Sequence, residues 1–192
     1  MEFNEKLDAA LAALDGDMID TLARWIRIPS VRAEQSAPNA PFGTEVLAYD
    51  LLLQEQFPSW LYSVRQGATT VWEHWDGINE RGDMWSAEMN SFNHYAYGAV
   101  GEWLYRTVAG IREAAPGFGE ILFCPVPDAR LGWAEASLDT VHGVIRSAWR
   151  IAGDTVRYEV TVPEGTRAEI RLPGGTREAL SAGSYVFAER LG

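Results

Sequence analysis

Glu73 stands between Trp72 and Trp75 in the stretch GATTVWEHWDG, residues 67–77. A carboxylate flanked by two indoles loses part of its hydration, which disfavours the charged form and makes it a stronger base, able to activate a water. A structural role fits the same letters. Thr70-Val71-Trp72-Glu73 has capping-box spacing, in which the threonine caps a helix start and the glutamate reaches back to its backbone N–H. Both readings stay open on spacing alone. His94 is the second candidate. If Asn90 or Ser91 caps the helix suggested by SFNHYAYGAVGEWLYRTVAGI, residues 91–111, His94 falls in the first turn, where the helix dipole disfavours an imidazolium. A neutral imidazole gives and takes hydrogen bonds, which suits a sugar hydroxyl. The plain alternative is a core histidine satisfied beside Tyr95 and Tyr97.

Five of the eight tryptophans fall between Trp60 and Trp103. Indole faces stack on the apolar C–H patches of sugars while acids, amides and histidine bond the hydroxyls; the competing explanation is that tryptophans between helices are core. Metal chemistry is not expected. Glu73, His74 and Asp76 match metal ligands in type only, since adjacent residues on a helix diverge and no second histidine stands at an H-E-x-x-H spacing. The reading calls for no metal and no cofactor. Cys124, the single cysteine, rules out an intramolecular disulfide and reads as a buried structural thiol.

The elements that must position these residues fall into three segments. Residues 3–27 read as two helices broken at Gly16, followed by a proline-rich loop. From Thr44 to Gly110 the pattern is helical, in TEVLAYDLLLQ and in residues 91–111. The latter is apolar nearly all round, with Glu102 and Arg106 four apart as a mild surface pair. After EAAPGFG the period falls to two: Val156, Tyr158, Val160 and Val162 alternate with polar residues, as do Ala168, Ile170 and Leu172. Gly153-Asp154 and LPGG read as hairpin turns. The fold class expected is α+β, ending in an antiparallel β-sandwich.

The chain is 47% hydrophobic over 192 residues, enough for one ordinary core or two small ones. It carries 16 Lys plus Arg against 27 Asp plus Glu, a net charge of −11, which argues against nucleic-acid and anionic-membrane partners. The acidic start, MEFNEKLDAALAALDGD, lacks the basic and apolar regions of a signal peptide, so a soluble, cytoplasmic protein is expected.

LAYDLLLQEQFPSWLYSVRQGATTVWEHWDG, then MNSFNHYAYGAVGEWLYRTVAGI, then the strands ending in GSYVF closely resemble the C-terminal part of bacterial α-L-rhamnosidases, over residues 47–188 or so. The resemblance implies a catalytic barrel of six helical hairpins followed by a β-sandwich, and inverting cleavage of terminal α-L-rhamnose. It implies that Glu73, in the family's G-A-T-T-x-W-E motif, is the general base, and that His94, in N-S-F-N-H-Y, contacts the sugar. The family's general acid lies in an earlier motif that residues 1–46 do not resemble. Asp76, Glu80, Asp83 and Glu88, between the two matched motifs, are not assigned that role.

Residues 1–46 resemble instead the extreme N-terminus of zinc-dependent dipeptidases, through IDTLARWIRIPSVRAE and APNAPFG, without the H-x-D motif that would bring a metal role. The expected domains are a helical segment of unrelated origin at 1–46, a partial α/α-barrel at 47–117 and a sandwich at 118–192. The join near Val46 and Leu47 reads as a fusion or truncation. The expected function is an α-L-rhamnosidase fragment acting on rhamnose-containing glycosides, inactive alone, with exposed aromatic surface where barrel neighbours are missing. The alternatives are a carbohydrate-binding module and an interaction protein that completes a separately encoded barrel half.

Overall fold

The structure is a computed structural model and describes residues 44–88 and 90–190. The helices expected over 3–27 and the loop after them lie outside the described residues. α1 spans Thr44–Leu53 and α2 Trp60–Arg65. Ser59 caps α2: its backbone is extended and its hydroxyl accepts from the Tyr62 N–H at 3.0 Å, satisfying one of the donors a helix start leaves open.

The single helix expected over 91–111 is instead a run of three short pieces: a 3₁₀ segment at Tyr95–Ala99, α3 at Val100–Trp103, and a π-helical turn at Leu104–Val108. The start is later than expected because the Ser91 carbonyl, which a helix would offer to residue 95, accepts instead from the Glu73 N–H at 2.9 Å. Neither Asn90 nor Ser91 is the cap. His94 takes that position, with extended backbone and Nδ1 accepting from the Ala96 N–H at 3.3 Å. At the other end the chain turns at Gly110, whose φ of +76° and whose contact with Pro125 leave no room for a side chain: a Cβ there would lie 2.1 Å from the Pro125 nitrogen. The expected surface pair does form, with Arg106 Nη1 at 3.6 Å from Glu102 Oε1.

Eight strands follow: β1 Ile111–Ala115, β2 Glu120–Phe123, β3 Trp133–Thr140, β4 Gly143–Ala152, β5 Thr155–Val162, β6 Arg167–Arg171, β7 Arg177–Leu180 and β8 Gly183–Arg190. Because β1 pairs with β2, sheet structure lies on both sides of residue 117. The strands make two sheets, ordered β1-β2-β6-β7 and β3-β4-β5-β8. The second is antiparallel throughout. In the first, β2 and β6 run parallel, which corrects the wholly antiparallel expectation. Between them the chain makes β3, β4 and β5 in the other sheet, a crossover long enough to return a strand in the same direction.

Both hairpins read from the sequence are present. Gly153-Asp154 joins β4 to β5 with Ala152 opposite Thr155, and Gly153 supplies a φ of +62° for the tight turn. Leu172–Thr176 joins β6 to β7, where the Gly175 N–H donates to the Leu172 carbonyl at 3.0 Å.

Period-two alternation builds the core. Val156, Tyr158, Val160, Val162, Ala168, Ile170 and Leu172 are buried together with Ile121, Phe123, Ile145 and Trp149. Tyr49 from α1 and Val108 join the same cluster. Polar atoms at this junction are paired, as burial requires. Trp149 Nε1 donates to the Val108 carbonyl at 2.7 Å, Ser147 Oγ to the Ala109 carbonyl at 2.6 Å, and the Tyr49 hydroxyl to the Val126 carbonyl at 2.6 Å. Cys124 is buried, and that burial pushes its thiol pKa up.

Candidate functional site

Glu73 and His94 lie on irregular segments that the structure lays side by side. The Glu73 N–H donates to the Ser91 carbonyl at 2.9 Å, and the His94 N–H donates to the Val71 carbonyl at 2.8 Å. These two bonds run residues 71–73 antiparallel to 91–94. The Thr70 hydroxyl adds a third link by donating to the Phe92 carbonyl. The capping-box alternative for Thr70 to Glu73 is therefore not realised. No helix starts at Thr70, because its hydroxyl and the Glu73 N–H are committed to the neighbouring segment. Glu73 is half-buried, and among the described residues its carboxylate has no hydrogen-bond or ion-pair partner.

The tryptophans on either side of Glu73 hold this arrangement in place. Trp72 is buried and meets Phe92 edge-on, with centroids 5.2 Å apart, so the two segments are joined by rings as well as by backbone. Trp75 stacks on Tyr97 at 3.8 Å and meets Trp60 edge-on at 5.1 Å. Trp60 Nε1 donates to the Tyr97 carbonyl at 2.9 Å, and Ser63 Oγ to the Trp75 carbonyl at 2.7 Å. α2 thus supports the Glu73 loop from below through Trp60 and Ser63. The tryptophan cluster divides: Trp72 is buried, whereas Trp85 is 47% exposed.

Beyond Glu73 the chain makes a small hairpin. The Trp85 N–H donates to the Gly77 carbonyl at 3.1 Å, and Ile78 bridges to Met84. Asn79 closes the tip, its Oδ1 accepting from the N–H groups of Arg81 and Asp83, the local turn that asparagine side chains favour. This hairpin folds the Trp85 ring flat onto His74, with centroids 3.8 Å apart and planes 16° from parallel. Sequence reasoning missed the Trp85–His74 stack and the Trp60 and Tyr97 supports, since nothing in their spacing marks them as partners. A groove of about 590 Å³ between Phe57, Arg65 and Glu80 includes neither Glu73 nor His94.

The arrangement is an unpaired carboxylate and a histidine on two adjacent segments, packed through Trp72 and Trp75 against Phe92 and Tyr97. An unpaired carboxylate can act as a base toward water. Residues 40–108 match the family model for the bacterial alpha-L-rhamnosidase 6 hairpin glycosidase domain, and residues 110–186 that for the bacterial alpha-L-rhamnosidase C-terminal domain.

Among individual proteins, an alpha-L-rhamnosidase of Formosa agariphila is 43% identical over 141 residues, covering 73% of this chain and 15% of the relative. One of Streptomyces avermitilis is 39% identical over 145 residues, covering 74% and 14%. Two solved structures agree in fold. The Streptomyces avermitilis alpha-L-rhamnosidase complexed with L-rhamnose has a TM-score of 0.70 at 34% identity, over 75% of this chain and 16% of that one. The native enzyme from Aspergillus terreus has a TM-score of 0.72 at 35% identity, over 77% and 17%.

Residues 40–186 are thus similar to the C-terminal part of bacterial α-L-rhamnosidases in sequence and in fold, and the chain spans about 15% of the length of the curated relatives it matches. The match begins at residue 40, upstream of the join expected at 46 and 47, and gives no support to the dipeptidase resemblance of residues 1–46.

Proposed function

We propose that this chain supplies the C-terminal side of an inverting α-L-rhamnosidase centre, with Glu73 as the general base that activates water and His94 as a contact to the sugar. The observation that carries the reading is the antiparallel pairing of 71–73 with 91–94, which brings two motifs distant in sequence to one place. Residues 44–108 are then the closing part of a six-hairpin barrel, and the strands from Ile111 onward a C-terminal sandwich. The substrate class is terminal α-L-rhamnosides.

Inversion needs an acid opposite the base, with carboxyls roughly 6.5 to 9.5 Å apart so that a water fits. The acid motif of the resembled family has no match within these 192 residues. General acid and general base help are each worth roughly a hundredfold to ten-thousandfold, so the base alone leaves the glycosidic bond essentially intact. Tyr95, 86% exposed, and Trp85 present aromatic surface on the helical part. That favours completion by further barrel residues, in the same polypeptide or another, and this completing portion is the partner we propose. We place the chain in the cytoplasm; no helix among the described residues is long and apolar enough to cross a membrane.

The test is release of nitrophenol from an aryl α-L-rhamnoside. The chain alone should release none, and the chain assembled with an upstream barrel portion should release it, with at least a roughly hundredfold loss in Glu73→Gln. Turnover by the chain alone that vanishes in Glu73→Gln would overturn the need for a partner. An assembled enzyme indifferent to Glu73→Gln would overturn the role of the base.

A further inference from the structure

Three segments wall the groove of about 590 Å³. The loop before α2 contributes Gln56 and Phe57, the C-terminal end of α2 contributes Tyr62 and Gln66, and the hairpin that follows Glu73 contributes Glu80. The volume falls within the roughly 300 to 1,000 Å³ of small-ligand pockets.

Each wall is held from behind. Gln54 Nε2 donates to the Gln56 and Pro58 carbonyls at 3.2 and 3.0 Å, which fixes the loop that carries Phe57. The Phe57 ring meets buried Tyr62 edge-on, with centroids 5.5 Å apart, and stays 52% exposed. Gln66 is set by the helix end, where its N–H donates to the Tyr62 and Ser63 carbonyls, both at 3.1 Å. Glu80 follows Asn79, whose Oδ1 closes the hairpin tip by accepting from the Arg81 and Asp83 N–H groups.

The lining selects against anions. Arg65, the cation in the groove wall, is hydrogen-bonded and ion-paired to Glu55, so those two charges cancel and Glu80 leaves the groove net negative. Among the described residues, the side chains of Gln56, Gln66 and Glu80 make no hydrogen bond or ion pair. Two amides and a carboxylate offer donors and acceptors to hydroxyl groups. Phe57 beside them offers an apolar surface to sugar C–H groups. A wholly apolar ligand would cover those polar groups without pairing them, at a cost in free energy.

We propose that this groove binds a neutral sugar segment of a rhamnoside, through apolar contact with Phe57 and hydroxyl contacts to Gln66 and Glu80, at a site that includes neither Glu73 nor His94. The glycan class rests on the glycosidase reading above; the selection against anions follows from the lining alone.

The experiment is calorimetric titration of the full chain with rutinose, a neutral disaccharide of rhamnose and glucose. Digalacturonate and tetralysine are the anionic and cationic comparisons. Rutinose should bind, with an affinity that changes little as salt is raised. F57A should bind it about tenfold more weakly. Q66A/E80Q, which alters side chains that make no bond within the fold, should bind it about fivefold more weakly, so the test survives any unfolding of F57A. E73Q and H94A should bind as the parent does. No binding of rutinose, tighter binding of digalacturonate or tetralysine, a Q66A/E80Q chain that binds undiminished, or a loss in E73Q or H94A instead would overturn the proposal. The nitrophenol assay reads Glu73 and is decided separately, so failure of one reading is distinguishable from failure of the other.

Discussion

The two halves of the described chain solve the folding problem differently. The sandwich from Ile111 to Arg190 alternates along its longer strands, closes its hairpins with glycine turns, and buries its own apolar face. The helical part from Thr44 to Val108 has helices of at most ten residues, a 3₁₀ piece and a π-helical turn. It leaves Val46, Phe57, Trp85 and Tyr95 exposed. Short helices are marginal in water without tertiary packing. The helical part therefore leans on the sandwich through Tyr49, Trp103 and Val108. The lesson is that Glu73 and His94 are held by cross-segment hydrogen bonds and ring contacts rather than by regular secondary structure.

That contrast can be broken first at the core of the sandwich. Trp149→Ala removes a fully buried indole and strips the Val108 carbonyl of its donor, so stability should fall by about 3 to 5 kcal/mol, read from the urea midpoint. A loss below about 1 kcal/mol would mean that the sandwich does not organise the chain.

The second cut is at the junction. Tyr49→Phe keeps the ring against Trp103 but removes the bond to the Val126 carbonyl, and should cost about 1 to 3 kcal/mol by the same measurement.

The third uses pH. Arg130 hydrogen-bonds Asp128 and ion-pairs with Asp50 of α1, tying the helical part to the segment before β3. The Arg130 hydrogen bond holds the Asp128 carboxyl below its ordinary value near 3.8. A depressed folded pKa contributes stability that is present above the ordinary value and lost as pH falls through the folded one. The urea midpoint should therefore drop on acidification below about pH 4, and Asp128→Asn should flatten that part of the profile.

The smallest effect is expected at the solvent-facing pair. Glu102→Ala should change stability by no more than about 0.5 kcal/mol, because exposed ion pairs contribute little. A larger change would show the helical part to be more self-supporting than its exposure implies.

Much of the sandwich was legible because its signal is local. Val156, Tyr158, Val160 and Val162 alternate, and Gly153-Asp154 makes a turn, whatever the rest of the chain does. The parallel pairing of β2 with β6 was not legible, since no local pattern records which sheet the intervening strands join. The long helix at 91–111 was misread for a related reason. Its apolar spacing is helical, but the Ser91 and Phe92 carbonyls are taken by Glu73 and Thr70, partners about twenty residues away in sequence.

The amino-acid sequence by itself determined the candidates: a glutamate in G-A-T-T-V-W-E, a histidine in N-S-F-N-H-Y, and a chain whose residues 40–186 resemble the C-terminal part of α-L-rhamnosidases. Tertiary structure alone decided that Glu73 is no helix cap and that its two tryptophans pack against Phe92, Tyr97 and Trp60. Residue type is fixed by the chain. Which donors and acceptors are left free is fixed only when distant segments compete for the same backbone groups.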